Sequence, residues 1–159
     1  MATLALCFLL PAAVVFAVMQ VKQRSYAELG PQALVPTPLP PVVQWHLEDG
    51  RLRPDGRYQV WGWVVEHAKE PRWLKARVVL VNAQRDRGLA LATNMVLRPD
   101  VSAAVGDGRT DHRSGFSTEV LAPPVDGGGY HRIYLAFERD MQRLLVDTGR
   151  SLRTRPDAP

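Results

Sequence analysis

Gly129-Tyr130-His131-Arg132-Ile133-Tyr134-Leu135-Ala136-Phe137-Glu138 carries the plainest pattern in this chain. In an extended strand successive side chains point to opposite faces, so His131, Ile133, Leu135 and Phe137 share one face and Tyr130, Arg132, Tyr134 and Glu138 share the other. The first face reads as core and the second as solvated, the signature of a half-buried antiparallel strand. Two neighbouring stretches repeat it. Phe116, Thr118 and Val120 oppose Ser117 and Glu119, and Leu144 and Val146 oppose Arg143, Leu145 and Asp147.

Outward from there, turn signals recur every eight to fifteen residues from Val42 onward. Asp49-Gly50, Pro54-Asp55-Gly56, Arg85-Asp86-Arg87-Gly88, Asp126-Gly127-Gly128-Gly129 and Glu138-Arg139-Asp140 separate segments at 43–47, 57–67, 75–82, 89–97, 116–121, 130–138 and 143–147. Most of these separators suit turns that need positive φ. Seven such segments predict an all-β domain, an antiparallel immunoglobulin-like two-sheet sandwich. One short helix interrupts the strands at 99–105, where Pro99 and Asp100 stand at the start and Gly106 just past the end.

The N-terminal part has another composition. Ala2 to Met19 carries no charge and is rich in Leu, Val and Phe, enough at about 1.5 Å per residue to cross a bilayer core of roughly 30 Å. Residues 1–21 are therefore expected to form a transmembrane helix that precedes the sandwich. A cleaved secretory signal is the competing reading, but the basic residues that open such a signal are missing. Lys22 and Arg24 follow the run and favour a cytoplasmic domain. Residues 22–41 hold Gly30, Pro31, Pro36, Pro38, Pro40 and Pro41, and this density predicts a semi-rigid polyproline spacer that lifts the domain some tens of ångströms from the membrane. Residues 42–152 form the sandwich domain and 153–159 a flexible tail.

Charge and cysteine content narrow the function. The formal net charge is +4, but acidic and basic residues are interspersed, without the clustered basic face of a nucleic-acid binder. The single cysteine, Cys7, lies in the apolar run, so no intramolecular disulfide forms. No serine occupies a Gly-x-Ser-x-Gly elbow, and His46, His67 and His131 lack the spacing of a zinc site. The polar loop Gly106–Arg113 contains Asp107, Asp111 and His112, but the glutamate that closes a calcium loop is absent. The expectation is a non-enzyme with no metal and no cofactor.

The aromatic residues carry the candidate binding site. In Tyr58-Gln59-Val60-Trp61-Gly62-Trp63 both faces of the strand look apolar. Burial in a central strand explains this, and so does an exposed platform of Trp61 and Trp63, joined by Tyr134 or Trp45, for a sugar ring or a partner's apolar patch. Gly62 between the tryptophans permits close backbone approach.

The order Gly62-Trp63-Val64, Arg98-Pro99-Asp100-Val101, Gly115-Phe116 and Gly129-Tyr130 before a strand resembles a family of small bacterial β-sandwich domains. These look like the C-terminal extensions of polytopic cell-envelope proteins, including membrane glycosyltransferases that use lipid-linked sugars. The resemblance implies an accessory, non-catalytic domain on the outer side of the membrane, with no catalytic residues carried over. Beside it, Asp100 is expected to cap the short helix, Phe116 to plug the core and Arg98 to pair with an acidic neighbour.

The leading expectation is a single-span, membrane-anchored accessory protein whose extracytoplasmic sandwich binds an envelope glycan or a neighbouring membrane protein through Trp61, Trp63 and Tyr134. The alternative is a small subunit of a larger membrane complex with a purely structural β domain, for which Ala12, Ala13 and Ala17 offer a helix-packing face.

Overall fold

A computed structural model of the chain describes residues 26–67, 74–105, 113–121, 129–139 and 142–154. Its strands are β1 (Tyr26–Leu29), β2 (Val43–Leu52), β3 (Arg57–Glu66), β4 (Lys75–Val81), β5 (Gly88–Leu91), β6 (Asn94–Val96), β7 (Gly115–Leu121), β8 (Arg132–Arg139), β9 (Gln142–Ser151) and β10 (Arg153–Thr154). Helix α1 spans Pro99–Val105, and a 3-10 turn spans Pro31–Leu34. The first sheet runs β1-β5-β4-β8-β9 and the second β10-β2-β3-β7-β6. Every pairing is antiparallel except the two-residue contact of β10 with β2. The described residues are thus mostly antiparallel β in two sheets with one short α-helix.

One apolar cluster lies between the sheets. Leu47, Tyr58, Val60, Val64, Phe116 and Val120 come from the second sheet, and Val78, Leu80, Leu89, Leu91, Ile133, Leu135 and Phe137 from the first. Alternation chose these residues, as expected for Ile133, Leu135, Phe137, Phe116 and Val120. Each large side chain fully buried there contributes about 1.5–3 kcal/mol. Two glycines make room for it. A Cβ on Gly50 would collide with the Ile133 side chain, and one on Gly62 would collide with the His46 carbonyl oxygen and lie 2.7 Å from the Phe116 ring. Gly50 thus sits inside β2 rather than in the expected Asp49-Gly50 turn. The strand continues through a bulge at Glu48, where the register with β3 shifts between Leu47 and Asp49.

The expected strand at 89–97 is two strands in different sheets. β5 ends at Leu91 and β6 begins at Asn94, so the chain changes sheets at Ala92-Thr93. Two polar contacts fix this corner. Thr93 Oγ1 accepts from the Val78 amide at 3.0 Å, and Thr118 Oγ1 donates to the Ala92 carbonyl at 2.6 Å.

The Pro-rich stretch differs most from its expectation. From Tyr26 it belongs to the folded unit. β1 pairs with β5, the 3-10 turn follows, and Leu34 is only 5% exposed. Leu34 packs with Val79, Val81, Ala90, Tyr134, Ala136 and Leu145 on the outer face of the first sheet, with Leu29 at its margin. The Thr37 amide then donates to the Leu145 carbonyl of β9 at 2.7 Å. The segment therefore straps the outer face from the β1 edge to the β9 edge. Proline permits this path, because Pro36, Pro38, Pro40 and Pro41 lack the donors needed to extend the sheet. At the other end of the chain, Arg153–Thr154 of the expected tail pairs with β2. The expected span at 1–21 lies outside the described residues. No helix among the described residues is long and apolar enough to cross a membrane.

Candidate functional site

The site grows from the hairpin of β2 and β3. Arg53-Pro54-Asp55-Gly56 closes it, with the Gly56 amide donating to the Arg53 carbonyl at 2.9 Å and Gly56 at φ +79°. Pairing of Leu52 with Tyr58 then sets Arg51 opposite Gln59 and Asp49 opposite Trp61. Beyond the bulge His46 stands opposite Trp63. On the other side of β3, Trp61 pairs with Ser117 and Trp63 with Gly115, and β6 adds Asn94 and Val96 in the same rows.

Since Tyr58, Val60 and Gly62 face the core, Trp61 and Trp63 stand on the outer face of the second sheet, and both are half-buried. Their rings are held by neighbours. The Arg51 guanidinium lies 5.1 Å above the Trp61 ring, and its Nε–H donates to Gln59 Oε1 at 2.9 Å. The His46 ring lies 5.9 Å from that of Trp63 at a 31° tilt. A cation on an exposed tryptophan contributes about 0.5–1 kcal/mol and restricts both side chains. Asn94, Ser117 and Asp49 share the Trp61 row, so groups that hydrogen-bond flank the aromatic surface.

Arg98 anchors the neighbouring edge. Its stem lies across Gly115, whose Cβ would come within 2.6 Å of it. Its guanidinium donates to Glu48 Oε1 at 2.8 Å and to Asp100 Oδ2 at 2.7 Å. Hydrogen bonds to Asp100 and Glu48 hold the Arg98 guanidinium protonated well above its ordinary range. The Arg98 hydrogen bond lowers the Asp100 carboxyl to about 2, with help from the backbone N–H groups of Asp100 and Val101 at the start of α1. The expected roles of Arg98 and of the buried Phe116 agree with this geometry, whereas Asp100 lies within the first turn of α1, after Pro99, with its carboxylate on Arg98 rather than at the cap position.

Tyr134 is not part of the platform. It lies on the first sheet, 1% exposed beneath the strap. Alternation put it on the face away from the core, but the strap turns that face into a second buried layer. Burial, then a hydrogen bond to Asp147, raises its phenol pKa. Trp45 points inward and packs against the main cluster.

Sequence reasoning missed His46 and Arg51. The turn at Arg53–Gly56 counts back correctly to Arg51 opposite Gln59, so the Arg51 and Trp61 neighbourhood was within reach. The bulge at Glu48 breaks that count, and unbroken pairing would put Leu47 rather than His46 beside Trp63.

A concavity of about 470 Å³ opens between Leu47–Gly50, Ile133, Arg150, Ser151 and Arg153. Its arginines are already engaged, Arg150 with the Leu47 carbonyl at 2.9 Å and Arg153 with Asp49. Among the described residues no three potential metal ligands cluster, and Asp107, Asp111 and His112 lie outside them. Comparison with protein-family models, curated proteins and solved structures returns no match.

Proposed function

We propose that this chain is a membrane-anchored, non-catalytic accessory protein whose extracytoplasmic, immunoglobulin-like sandwich binds a cell-envelope glycan through Trp61 and Trp63. An N-terminal transmembrane helix at 1–21 provides the anchor. The observation that carries the reading is the pair of half-buried tryptophans on one outer sheet face, with rings held by Arg51 and His46 and polar groups alongside. A pyranose offers an apolar C–H face for the rings and hydroxyls for Asn94, Ser117 and Gln59. Fixed rings reduce the entropy lost on binding. Support for the outer side of the membrane comes from the resemblance of the Gly62–Val64, Arg98–Val101 and Gly115–Phe116 motifs to envelope accessory domains.

The test is titration of the full chain, in detergent or vesicles, with envelope oligosaccharides while tryptophan fluorescence is followed. A saturable change is expected, and Trp61→Ala should weaken it by roughly three- to tenfold, equivalent to about 0.5–1.5 kcal/mol of aromatic contact. A blank glycan array together with unchanged fluorescence removes the glycan and leaves a neighbouring membrane protein as the ligand to seek.

A further inference from the structure

We propose that the glycan bound on the tryptophan face is acidic, and that its sugar carboxylate docks on Arg51 in a concavity at the β2–β3 hairpin. The inference rests on the glycan reading given above and narrows it to one class of sugar, the carboxylated hexoses.

The hairpin itself builds the concavity. Its volume is about 470 Å³, and Arg51, Leu52, Arg53, Pro54 and Asp55 line it, all of them described residues. Arg51 connects it to the aromatic surface, because the same guanidinium lies 5.1 Å from the centre of the Trp61 ring. Strand register explains the connection. Arg51 stands opposite Gln59, in the row next to the Asp49 and Trp61 pair, and side chains two residues apart on a strand share a face. A sugar seated against Trp61 therefore lies beside the concavity.

Arg51 is equipped to hold a carboxylate. Its Nε–H donates to Gln59 Oε1 at 2.9 Å and the Trp61 ring lies against it, so the head group is fixed by two neighbours. Its two terminal nitrogens have no partner among the described residues. That end of the guanidinium presents the planar N–H fork that matches a carboxylate. A side chain fixed before the ligand arrives loses less entropy on binding.

The surrounding charges leave room for one anion. Across the hairpin, Arg51, Arg53 and Arg57 face two carboxylates, Asp55 and Glu119. The ion pairs of Arg53 and Arg57 with those carboxylates lie between 3.4 and 3.7 Å. A direct charge-assisted bond is shorter, about 2.7–2.9 Å. Asp49, the carboxylate in the Trp61 row, is already held by Arg153. A hexuronate carries a single negative charge, which matches the surplus of one guanidinium, whereas a phosphate monoester carries about 1.5–2.

The full chain in detergent is titrated with oligosaccharides that contain glucuronate or galacturonate, and with the same oligosaccharides after carboxyl reduction. Reduction removes the charge and keeps the ring. Tryptophan fluorescence reads the binding. The acidic form should bind about three- to tenfold tighter than its reduced counterpart at low salt, and the margin should shrink as salt rises. Arg51→Gln should remove that preference while leaving affinity for the reduced form within about twofold, which also shows that the variant is folded. Arg51→Lys should restore only part of the preference, because a point charge replaces the fork. Equal affinity of the unsubstituted chain for acidic and reduced forms overturns the acidic ligand and leaves the glycan reading standing. A preference that survives Arg51→Gln overturns the subsite. Loss of both forms in Arg51→Gln and Arg51→Lys alike marks Arg51 as a brace for Trp61 alone and overturns it too. If neither form changes the fluorescence, the glycan reading falls and the acidic subsite with it.

Discussion

The two sheets share a core but treat their outer faces differently. On the first sheet, Val79, Val81, Ala90, Tyr134, Ala136 and Leu145 are covered by the N-terminal strap through Leu34. On the second, no strap crosses Trp61 and Trp63 among the described residues, and single side chains, Arg51, His46 and Arg98, brace the surface instead. The first face is thus a second core layer. The second remains half wet. The strap adds a second apolar layer behind the core, on the side away from the tryptophans.

The largest expected effect comes from uncovering the first sheet. Leu34→Ala should cost about 2–4 kcal/mol of stability in urea unfolding and increase binding of an apolar dye. A cost below about 0.5 kcal/mol would break the contrast, because the strap would then be a loose tether. Next is Gly62→Ala, which drives a methyl group between the His46 carbonyl and the Phe116 ring. Overpacking at that site should cost about 1–3 kcal/mol and disturb both the core and the tryptophan face, seen as a shift in tryptophan emission. Trp61→Ala sharpens the comparison from the other side. Half-buried and braced rather than covered, Trp61 should contribute only about 1 kcal/mol to stability. A loss as large as that from Leu34→Ala would mark Trp61 as structural.

The smallest effect is a pH dependence. The Asp100 carboxyl is lowered from 3.8 to about 2, chiefly by its hydrogen bond to Arg98. A depressed folded-state pKa contributes stability that is present above the unfolded value and lost as pH falls through the folded one. The contribution should therefore fade from about pH 4 to about pH 2, and Arg98→Gln should flatten that part of the stability profile. An identical acid limb in the variant would show that this exposed ion pair contributes nothing measurable.

Much of this architecture was legible in the residues. Six of the seven expected strand segments, the helix at Pro99–Val105, the turn before Arg57 and the core role of Ile133, Leu135, Phe137 and Phe116 follow from alternation and turn chemistry. The misreadings have specific causes. Ala92-Thr93 carries no glycine or proline to mark the change of sheet, and its corner is held by hydroxyls from distant strands. Glu48 carries no mark of a bulge, so the neighbours of Trp63 were hidden. Proline density correctly argued against a central strand, but it carries no information about whether an irregular segment hangs free or lies on a sheet.

That limit is physical. The sequence by itself determined where the chain extends, where it turns and which face of each strand looks inward, because those depend on a residue and its near neighbours. It also determined that Trp61 and Trp63 share a face. Only the tertiary structure decided which outer face is covered, since that depends on residues some fifty to a hundred positions apart meeting, as Leu34 does with Tyr134. The coverage of Tyr134 and the half-exposure of the tryptophans are therefore properties of packing, which no local pattern encodes.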